Sequence, residues 1–188
     1  MARQIIFTTS IITSILKNEN LEKEILKELQ THEDLKQGRV RSNFGGFQTN
    51  DITNKSILEP LGNETVRLIF ENYKIKANKI NMNNLWINKN YKNNFNNLHV
   101  HPRCHLSAVY YVDVSEKGGE LVFRREDCIF TEQNLFIPND MDFDDSFTIK
   151  PKKNLLIIFP SHLKHMVQPH EDDRPRISVS FNIGFENG

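Results

Sequence analysis

The spacing of the hydrophobic residues changes near residue 80. Before that point apolar residues recur three or four positions apart, as on one face of a helix, which predicts two helices. After it, short runs rich in β-branched and aromatic residues alternate with polar loops, which predicts strands. Two helices followed by about eight short strands predict a mainly β protein, in which flanking helices back one face of a β-sandwich or jelly roll.

Both predicted helices begin at an asparagine, whose side chain can accept a hydrogen bond from a free backbone N–H of the first turn. The first helix is expected from Leu21 to about Thr31, with Asn20 as its N-cap. The second is expected to follow Asn63. Their apolar sides are predicted to be Leu21, Ile25, Leu26 and Leu29 on the first helix and Val66, Ile69, Phe70 and Tyr73 on the second.

The remaining predicted elements are extended. Residues 5–16 are apolar and β-branched and predict an opening strand, and the paired glycines within residues 42–49 predict a turn between extended pieces. Long polar loops are expected around residues 88–97 and 127–145. The predicted strands of the second half are residues 85–88, a histidine-bearing strand that leads into residues 106–112, and residues 120–123, 147–149, 155–160 and 177–183.

Length and charge limit the possible functions. A chain of 188 residues fits one domain, with helical support over about residues 1–80 and a jelly-roll core over about 81–188. The 24 basic and 24 acidic residues balance, so we do not expect nucleic acid as a partner. Two cysteines, Cys104 and Cys128, do not make a disulfide framework, and we expect a cytoplasmic protein. No apolar run is long enough for a membrane span.

A cluster of histidines is the strongest candidate for chemistry. His99 and His101 precede the strand at residues 106–112, and alternate residues of an extended chain point the same way. His165 follows the apolar run at residues 155–160 and is expected to join them, with His162 as second choice. Neutral imidazole binds iron, zinc, copper and nickel. Of the other histidines, His105 is expected in a supporting role and His32 and His170 at the surface.

An arginine that could bind an anion lies further along the sequence than these histidines. Arg176 begins the last long strand, where its guanidinium could hold a carboxylate through two parallel hydrogen bonds, and Arg174 is its competitor. Tyr111 and Ser178 could contribute hydroxyl groups to the same ligand. Trp86 and Asn88 could line the mouth of the site, although Trp86 is more simply explained as a core residue. The residues that we expect to bind a ligand are therefore Arg176, Tyr111 and Ser178.

The order of these motifs resembles the 2-oxoglutarate/Fe(II)-dependent oxygenase superfamily. That superfamily has a His-x-acid pair, a strand ending in Tyr-Tyr, a Gly-Gly-x-Leu-x-Phe strand, a distal His and a later Arg. The chain looks closest to a small branch of marine bacteria and phages with Ser-Asn-x-Gly-Gly-x-Gln, His-x-His-Pro, Phe-Pro-Ser-x-x-x-His and Arg-Ile-Ser-x-Ser-Phe-Asn. The resemblance covers roughly residues 40–185 and rests on His99-Val100-His101, Tyr110-Tyr111, residues 118–123, His165 and Arg176.

The resemblance implies a double-stranded β-helix (cupin-like jelly roll) that uses Fe(II), 2-oxoglutarate and molecular oxygen. It implies metal binding by His99, His101 and His165, and hydroxylation of a small-molecule or peptide substrate with formation of succinate. The superfamily usually has Asp or Glu where this chain has His101. Either the metal has three neutral ligands or it has two and an extra open position, unless Glu120 or Asp113 supplies a carboxylate.

Two other functions fit the same sequence. A cupin-like enzyme with three histidine ligands could use iron, nickel or zinc without 2-oxoglutarate. A jelly-roll binding module could instead hold a structural metal, or none, and catalyse no reaction. The substrate cannot be read from the sequence, because loops vary while the metal platform stays fixed.

Overall fold

A computed structural model describes residues 9–115, 117–124 and 146–187. The predicted loop at residues 127–145, including Cys128, lies outside these residues, as does the beginning of the predicted opening strand. The elements in chain order are β1 (Ile12–Ile15), α1 (Glu19–Asp34), β2 (Asn43–Phe44), β3 (Phe47–Gln48), α2 (Lys55–Asn72), β4 (Lys79–Asn90), β5 (Phe95–His99), β6 (Leu106–Asp113), β7 (Leu121–Arg124), β8 (Ser146–Ile149), β9 (Leu155–Pro160), β10 (Lys164–Val167) and β11 (Arg176–Glu186).

The strands form two antiparallel sheets. The larger has the order β1-β9-β6-β11-β4-β3 and the smaller the order β2-β5-β10-β7-β8. Strand β11 pairs with β4 on one side and β6 on the other. These sheets and the two helices confirm the mainly β jelly-roll fold with flanking helices that the sequence predicts. No helix within the described ranges is long and apolar enough to cross a membrane.

Alternation along the strands gives the larger sheet two different faces. One face packs against the helices, where Tyr110 and Phe181 meet Ile25 and Ile57 in the main core. The opposite face is directed towards the smaller sheet and forms a second apolar cluster with it. This second cluster consists of Val109, Tyr111, Leu121, Phe123, Leu155, Ile157 and Phe159.

Both helices begin earlier than their apolar periodicity predicts. Asn18, not Asn20, caps α1, and Asn54, not Asn63, caps α2. Asn63 lies inside the second helix, where its exposed side chain caps nothing. Caps are set by the backbone where the helix begins, and apolar spacing locates only the buried face.

Two residues placed on the apolar sides of the helices are mainly exposed. Leu26 is 43% exposed on α1 and Phe70 is 61% exposed on α2. The paired glycines behave as expected: Gly45 and Gly46 both have positive φ and join β2 to β3. Strand β10 was not predicted as a strand, since its four residues show no alternation of apolar and polar side chains.

We predict that Asn18→Ala lowers the free energy of unfolding by about 1 kcal/mol, because the substitution removes the acceptor for an N–H of the first turn. The Asn18 Oδ1 atom accepts from the Leu21 N–H at 3.0 Å. Asn20→Ala is the matched control and is expected to change stability by less than about 0.5 kcal/mol. Urea denaturation measures both; equal losses in the two variants would contradict the assignment of the cap.

Candidate functional site

Three histidines converge between the two sheets. His99 ends β5 and is paired across the smaller sheet with His165 in β10. His101 lies two residues beyond β5, and its backbone N–H donates to the Ser161 carbonyl at 3.0 Å. The ring centroids are 4.3 Å apart for His99 and His165 and 5.1 Å apart for each pair that includes His101. One ligand atom from each ring lies within 4.8 Å of the others, close enough for a single metal ion.

Backbone carbonyls orient two of these rings. The His99 Nδ1 is 2.6 Å from the Asn97 carbonyl oxygen, and the His165 Nδ1 is 2.8 Å from that of Leu163. Each Nδ1–H therefore donates to a carbonyl, which leaves Nε2 of the neutral ring as a lone-pair donor. The Nε2 atoms of His101 and His165 are only 3.2 Å apart. Nitrogens held in this way fit the coordination of a cation.

Burial keeps the three imidazoles neutral, which is the form that binds metals. Burial lowers the pKa of His99 below its usual value. The pKa of His101 is lowered to about 4, first by burial and then by the proximity of His99. The pKa of His165 is lowered to about 3 by the same two causes, with burial the larger. The three rings therefore stay neutral at pH 7.

Within the described ranges, no carboxylate or cysteine joins the three-histidine group. Asp113 and Glu120, which the sequence left open as alternative ligands, are not part of it. The described site thus provides only neutral nitrogen ligands.

Arg176 lies in the same cavity with an incomplete set of partners. It is 2% exposed, and its Nη1 donates to Asn90 Oδ1 and Ser178 Oγ, each at 3.2 Å. Its guanidinium lies 5.0 Å from the centre of the Tyr111 ring. Among the described residues it has no carboxylate partner, and neither its Nε nor the Tyr111 hydroxyl has a hydrogen-bond partner. A buried cation with free donors is typical of a binding site for an anion.

The surroundings of Arg176 and Tyr111 are tightly constrained. Burial raises the pKa of Tyr111, although the neighbouring Arg176 cation acts in the opposite direction, so its phenol keeps its proton at pH 7. Gly119 has φ of +72°, and a β-carbon there would lie 2.8 Å from Arg176 Cδ. Only glycine fits this backbone without moving the arginine.

Two histidines expected at the surface are buried. His170 is 1% exposed; its Nε2–H donates to the Arg174 carbonyl at 2.7 Å, and its backbone pairs with Asn93 and Asn94. His32 is 9% exposed and packs into the core side of α1 beside Glu28. The surface prediction was wrong for both. His32 lies three residues after Leu29 and continues the buried side of α1. Nothing in the sequence around His170 indicated the backbone bonds that enclose it.

Three of the other candidate residues do not line the cavity. His162 is exposed, and Arg174 is exposed with its Nη2 donating to the Val114 carbonyl. His105 packs against Phe185 and accepts its backbone N–H, which is a supporting role.

Trp86 lines the cavity and is not part of the main core. Its ring stacks on His101 with a centroid separation of 5.8 Å, and the Arg39 guanidinium lies 5.6 Å from the centre of the ring. Asn88 also lines the cavity and donates to Ser180 Oγ at 3.1 Å.

The cavity has a volume of about 50 Å³ and opens to solvent at its mouth. Sequence reasoning missed Ser42, Asn90 and Asn96, which line it or support Arg176. Asn90 could have been found by extending the alternation of Trp86 and Asn88 two residues further along β4. Ser42 begins the Ser-Asn-x-Gly-Gly-x-Gln motif, but the motif gave it no role at the site. Nothing in the sequence indicated Asn96, because its place depends on the pairing of β2 with β5.

A protein-family model described as "Putative 2OG-Fe(II) oxygenase" matches residues 84–182, slightly more than half of the chain. The chain belongs to this family. The matched region contains every residue of the three-histidine group together with Arg176, Tyr111 and Ser178. The resemblance predicted from the motifs is thereby confirmed. A search of curated protein sequences gives no match.

Solved structures of 2-oxoglutarate oxygenases share the fold of this family member. A prolyl-4-hydroxylase of Pseudomonas putida has a TM-score of 0.66 at 15% identity, with 96% of this chain and 95% of the other covered. The collagen prolyl hydroxylase of Paramecium bursaria chlorella virus-1 in complex with 2-oxoglutarate gives 0.62 at 14%, covering 92% and 94%. HygX from Streptomyces hygroscopicus with nickel and 2-oxoglutarate gives 0.63 at 10%, covering 94% and 83%.

We predict that Fe(II), added anaerobically to metal-free protein, raises the melting temperature. A ligand at 100 times its Kd stabilises the folded state by about 2.7 kcal/mol. His165→Ala is expected to abolish most of this effect, because it removes one of the three imidazoles that could hold the ion. His162→Ala, three residues earlier and exposed, is the control and should respond like the wild type. Full stabilisation of the His165 variant would exclude that histidine as a ligand.

Proposed function

We propose that this chain is a 2-oxoglutarate- and Fe(II)-dependent dioxygenase that hydroxylates a small-molecule or peptide substrate. The observation that carries the proposal is a single cavity in which three neutral imidazoles face a buried arginine with unused donors. Each half alone has ordinary structural explanations. Together they match the two requirements of such an enzyme, a metal and a dicarboxylate.

His99, His101 and His165 would hold the iron. The two Nδ1–H groups bound to carbonyls fix the orientation of their rings, so little reorganisation is needed when a metal enters. Three imidazole nitrogens would leave part of the coordination shell of an iron ion open to other ligands, as in other non-haem iron sites with three protein ligands. Neutral imidazole nitrogens accept Fe(II), although they do not select it over nickel, zinc or copper.

Arg176 would hold the carboxylate of 2-oxoglutarate that is remote from the metal. Its Nε and the Tyr111 hydroxyl are both unpartnered donors, and Ser178 Oγ lies beside the guanidinium. Asn90 Oδ1 and Ser178 Oγ restrain the guanidinium before any ligand arrives, which reduces the entropy lost on binding. The surrounding apolar cluster would exclude water from the guanidinium and the bound carboxylate, which would strengthen the attraction between the two charges.

The protein would supply position, charge and a shielded cavity for the reaction. Bound iron and 2-oxoglutarate together supply oxygen activation, with carbon dioxide and succinate as coproducts and a hydroxyl group added to the substrate. Trp86, stacked on His101, would form the wall nearest to the metal ligands.

The proposed cofactor use is tested by spectroscopy followed by product analysis. Anaerobic protein loaded with Fe(II) is expected to develop a weak visible charge-transfer band when 2-oxoglutarate is added. After oxygen is admitted, succinate should form, and a screen of metabolites and peptides that follows 2-oxoglutarate turnover would then identify the substrate. Absence of both the band and 2-oxoglutarate binding would refute the proposal.

A cupin-like three-histidine enzyme that does not use 2-oxoglutarate is the second candidate. The observation in its favour is the lack of any carboxylate in the described metal-ligand group. The two candidates differ in what they require of Arg176. Only the dioxygenase needs its guanidinium for cosubstrate binding.

We predict that Arg176→Ala weakens 2-oxoglutarate binding by about 2 kcal/mol or more, roughly 30-fold, because a buried charge-assisted contact is lost. Arg176→Lys keeps the charge without the planar fork and should give an intermediate loss. Arg174→Ala is the matched control and should bind like the wild type. Calorimetric titration of the Fe(II)-loaded variants measures all three. Unchanged affinity in Arg176→Ala would favour the cupin-like candidate.

A further inference from the structure

A row of polar side chains, all buried except the half-buried Asn84, crosses the larger sheet and ends beside the three-histidine group. Asn84 on β4, Asn182 on β11 and Ser107 on β6 are neighbours in strand register. The row continues to Ser161, just after β9, whose hydroxyl lies 2.8 Å from that of Ser107. Ser107 and Ser161 are each 1% exposed and Asn182 is 5% exposed.

The hydrogen bonds in this row run in one direction. The Ser107 hydroxyl donates to Asn182 Oδ1 at 2.8 Å, and Asn182 Nδ2 donates to Asn84 Oδ1 at 2.9 Å. Because Ser107 has only one hydroxyl proton, the contact with Ser161 requires that Ser161 donates to Ser107. Each hydroxyl proton of the row thus has an acceptor, and loss of one member leaves a buried polar atom without its partner.

The row meets the metal-ligand segments at Ser161. The Ser161 carbonyl accepts the His101 N–H at 3.0 Å, and the Ser161 N–H donates to the His105 carbonyl at 3.1 Å. These two backbone bonds attach the segment that carries His101 to Ser161. Ser161 also lies four residues before His165, at the start of the turn that leads into β10. One buried serine is therefore connected to two of the three histidines.

Fold stability alone does not require these polar side chains, because replacing both partners of a buried hydrogen bond by apolar groups of the same shape can be neutral or stabilising. A polar row in which every member is hydrogen-bonded instead holds its side chains and backbone in one arrangement. The row fixes Ser161 relative to the centre of the larger sheet, whereas His99 and β10 belong to the smaller sheet. It therefore sets where His101 stands relative to His99 and His165 of the smaller sheet.

We propose that Ser107, Ser161 and Asn182 are positioning residues for the metal site, which rests on the proposed function in so far as it takes the three histidines as metal ligands. They contact neither metal nor substrate. They act by holding Ser161, and through it the backbone of His101 and the turn before His165. Their loss is expected to reduce metal affinity and to change ligand geometry, beyond any loss of fold stability.

The test is titration of the metal-free full chain with Co(II), whose visible spectrum reports coordination geometry as well as affinity. Ser107→Ala and Ser161→Ala are each expected to weaken Co(II) binding about tenfold and to alter the spectrum of the bound ion. Ser115→Ala is the matched control: this serine is also buried, at 6% exposure, and its hydroxyl bonds to the backbone of Lys117, outside the polar row. It should lose similar thermal stability and keep wild-type affinity and spectrum.

The outcomes separate this proposal from the proposed function. If the wild type binds no Co(II), the metal site itself is refuted. If the wild type binds and both row variants bind with unchanged affinity and spectrum, the positioning role is refuted. An equal loss of Co(II) affinity in Ser115→Ala would also refute the positioning role, because the loss would then follow from general destabilisation. Should Ser107→Ala fail to fold, Ser161→Ala decides, since its backbone bonds to His101 and His105 do not require the side chain.

Discussion

The alternation of side chains along β11 is the constraint on which both the core and the site depend. Ile177, Val179, Phe181 and Ile183 face the helices and lie in the main core. The intervening residues, Arg176, Ser178, Ser180 and Asn182, face the smaller sheet and the cavity. A slip of one residue in the pairing of β11 would exchange these two sets. It would bury a cation and three polar groups against the helices, so core burial strongly fixes the register of the site.

The electrostatic potential of the cavity is set mainly by one permanently charged side chain. Arg176 is the only charged side chain among the described residues that line it. The histidines are held neutral by burial, and the nearest protein acceptors to the guanidinium are the uncharged Asn90 and Ser178. A buried cation without a carboxylate partner carries a desolvation penalty that an anionic ligand would relieve. A divalent metal held by three neutral imidazoles would add further positive charge, so an anionic ligand would then bind more favourably.

Sequence spacing was enough to predict that the candidate residues lie together. The pair His99 and His101, the distant His165, and Arg176 at the head of a long strand were chosen as one constellation, and the structure brings them into one cavity. For Arg176 this follows from the period of two in a strand, which allows the direction of a side chain to be predicted locally. His101 lies beyond the end of β5, so its place depends on the backbone bond to Ser161. The assignment of roles to these residues still depends on metal and ligand binding.

Features set by tertiary contacts could not be predicted in the same way. His170 looked like a surface residue because it follows Gln168 and Pro169, yet backbone bonds to Asn93 and Asn94 enclose it. Strand β10 has no alternating pattern, and it becomes a strand by pairing with β5 and β7. The helix caps lie outside the apolar periodicity that predicted the helices, because Asn18 and Asn54 act through the backbone geometry of the first turn.

The polar row from Asn84 to Ser161 depends both on local alternation along the strands and on tertiary pairing between them. Its members alternate correctly along their own strands, so each one alone reads as an ordinary inward-facing polar residue. Only the register of four adjacent strands places them side by side and in hydrogen-bond contact. The register is fixed in turn by the apolar residues on the opposite face of the same strands. Packing against the helices therefore determines, through the sheet, where the backbone that carries His101 is held.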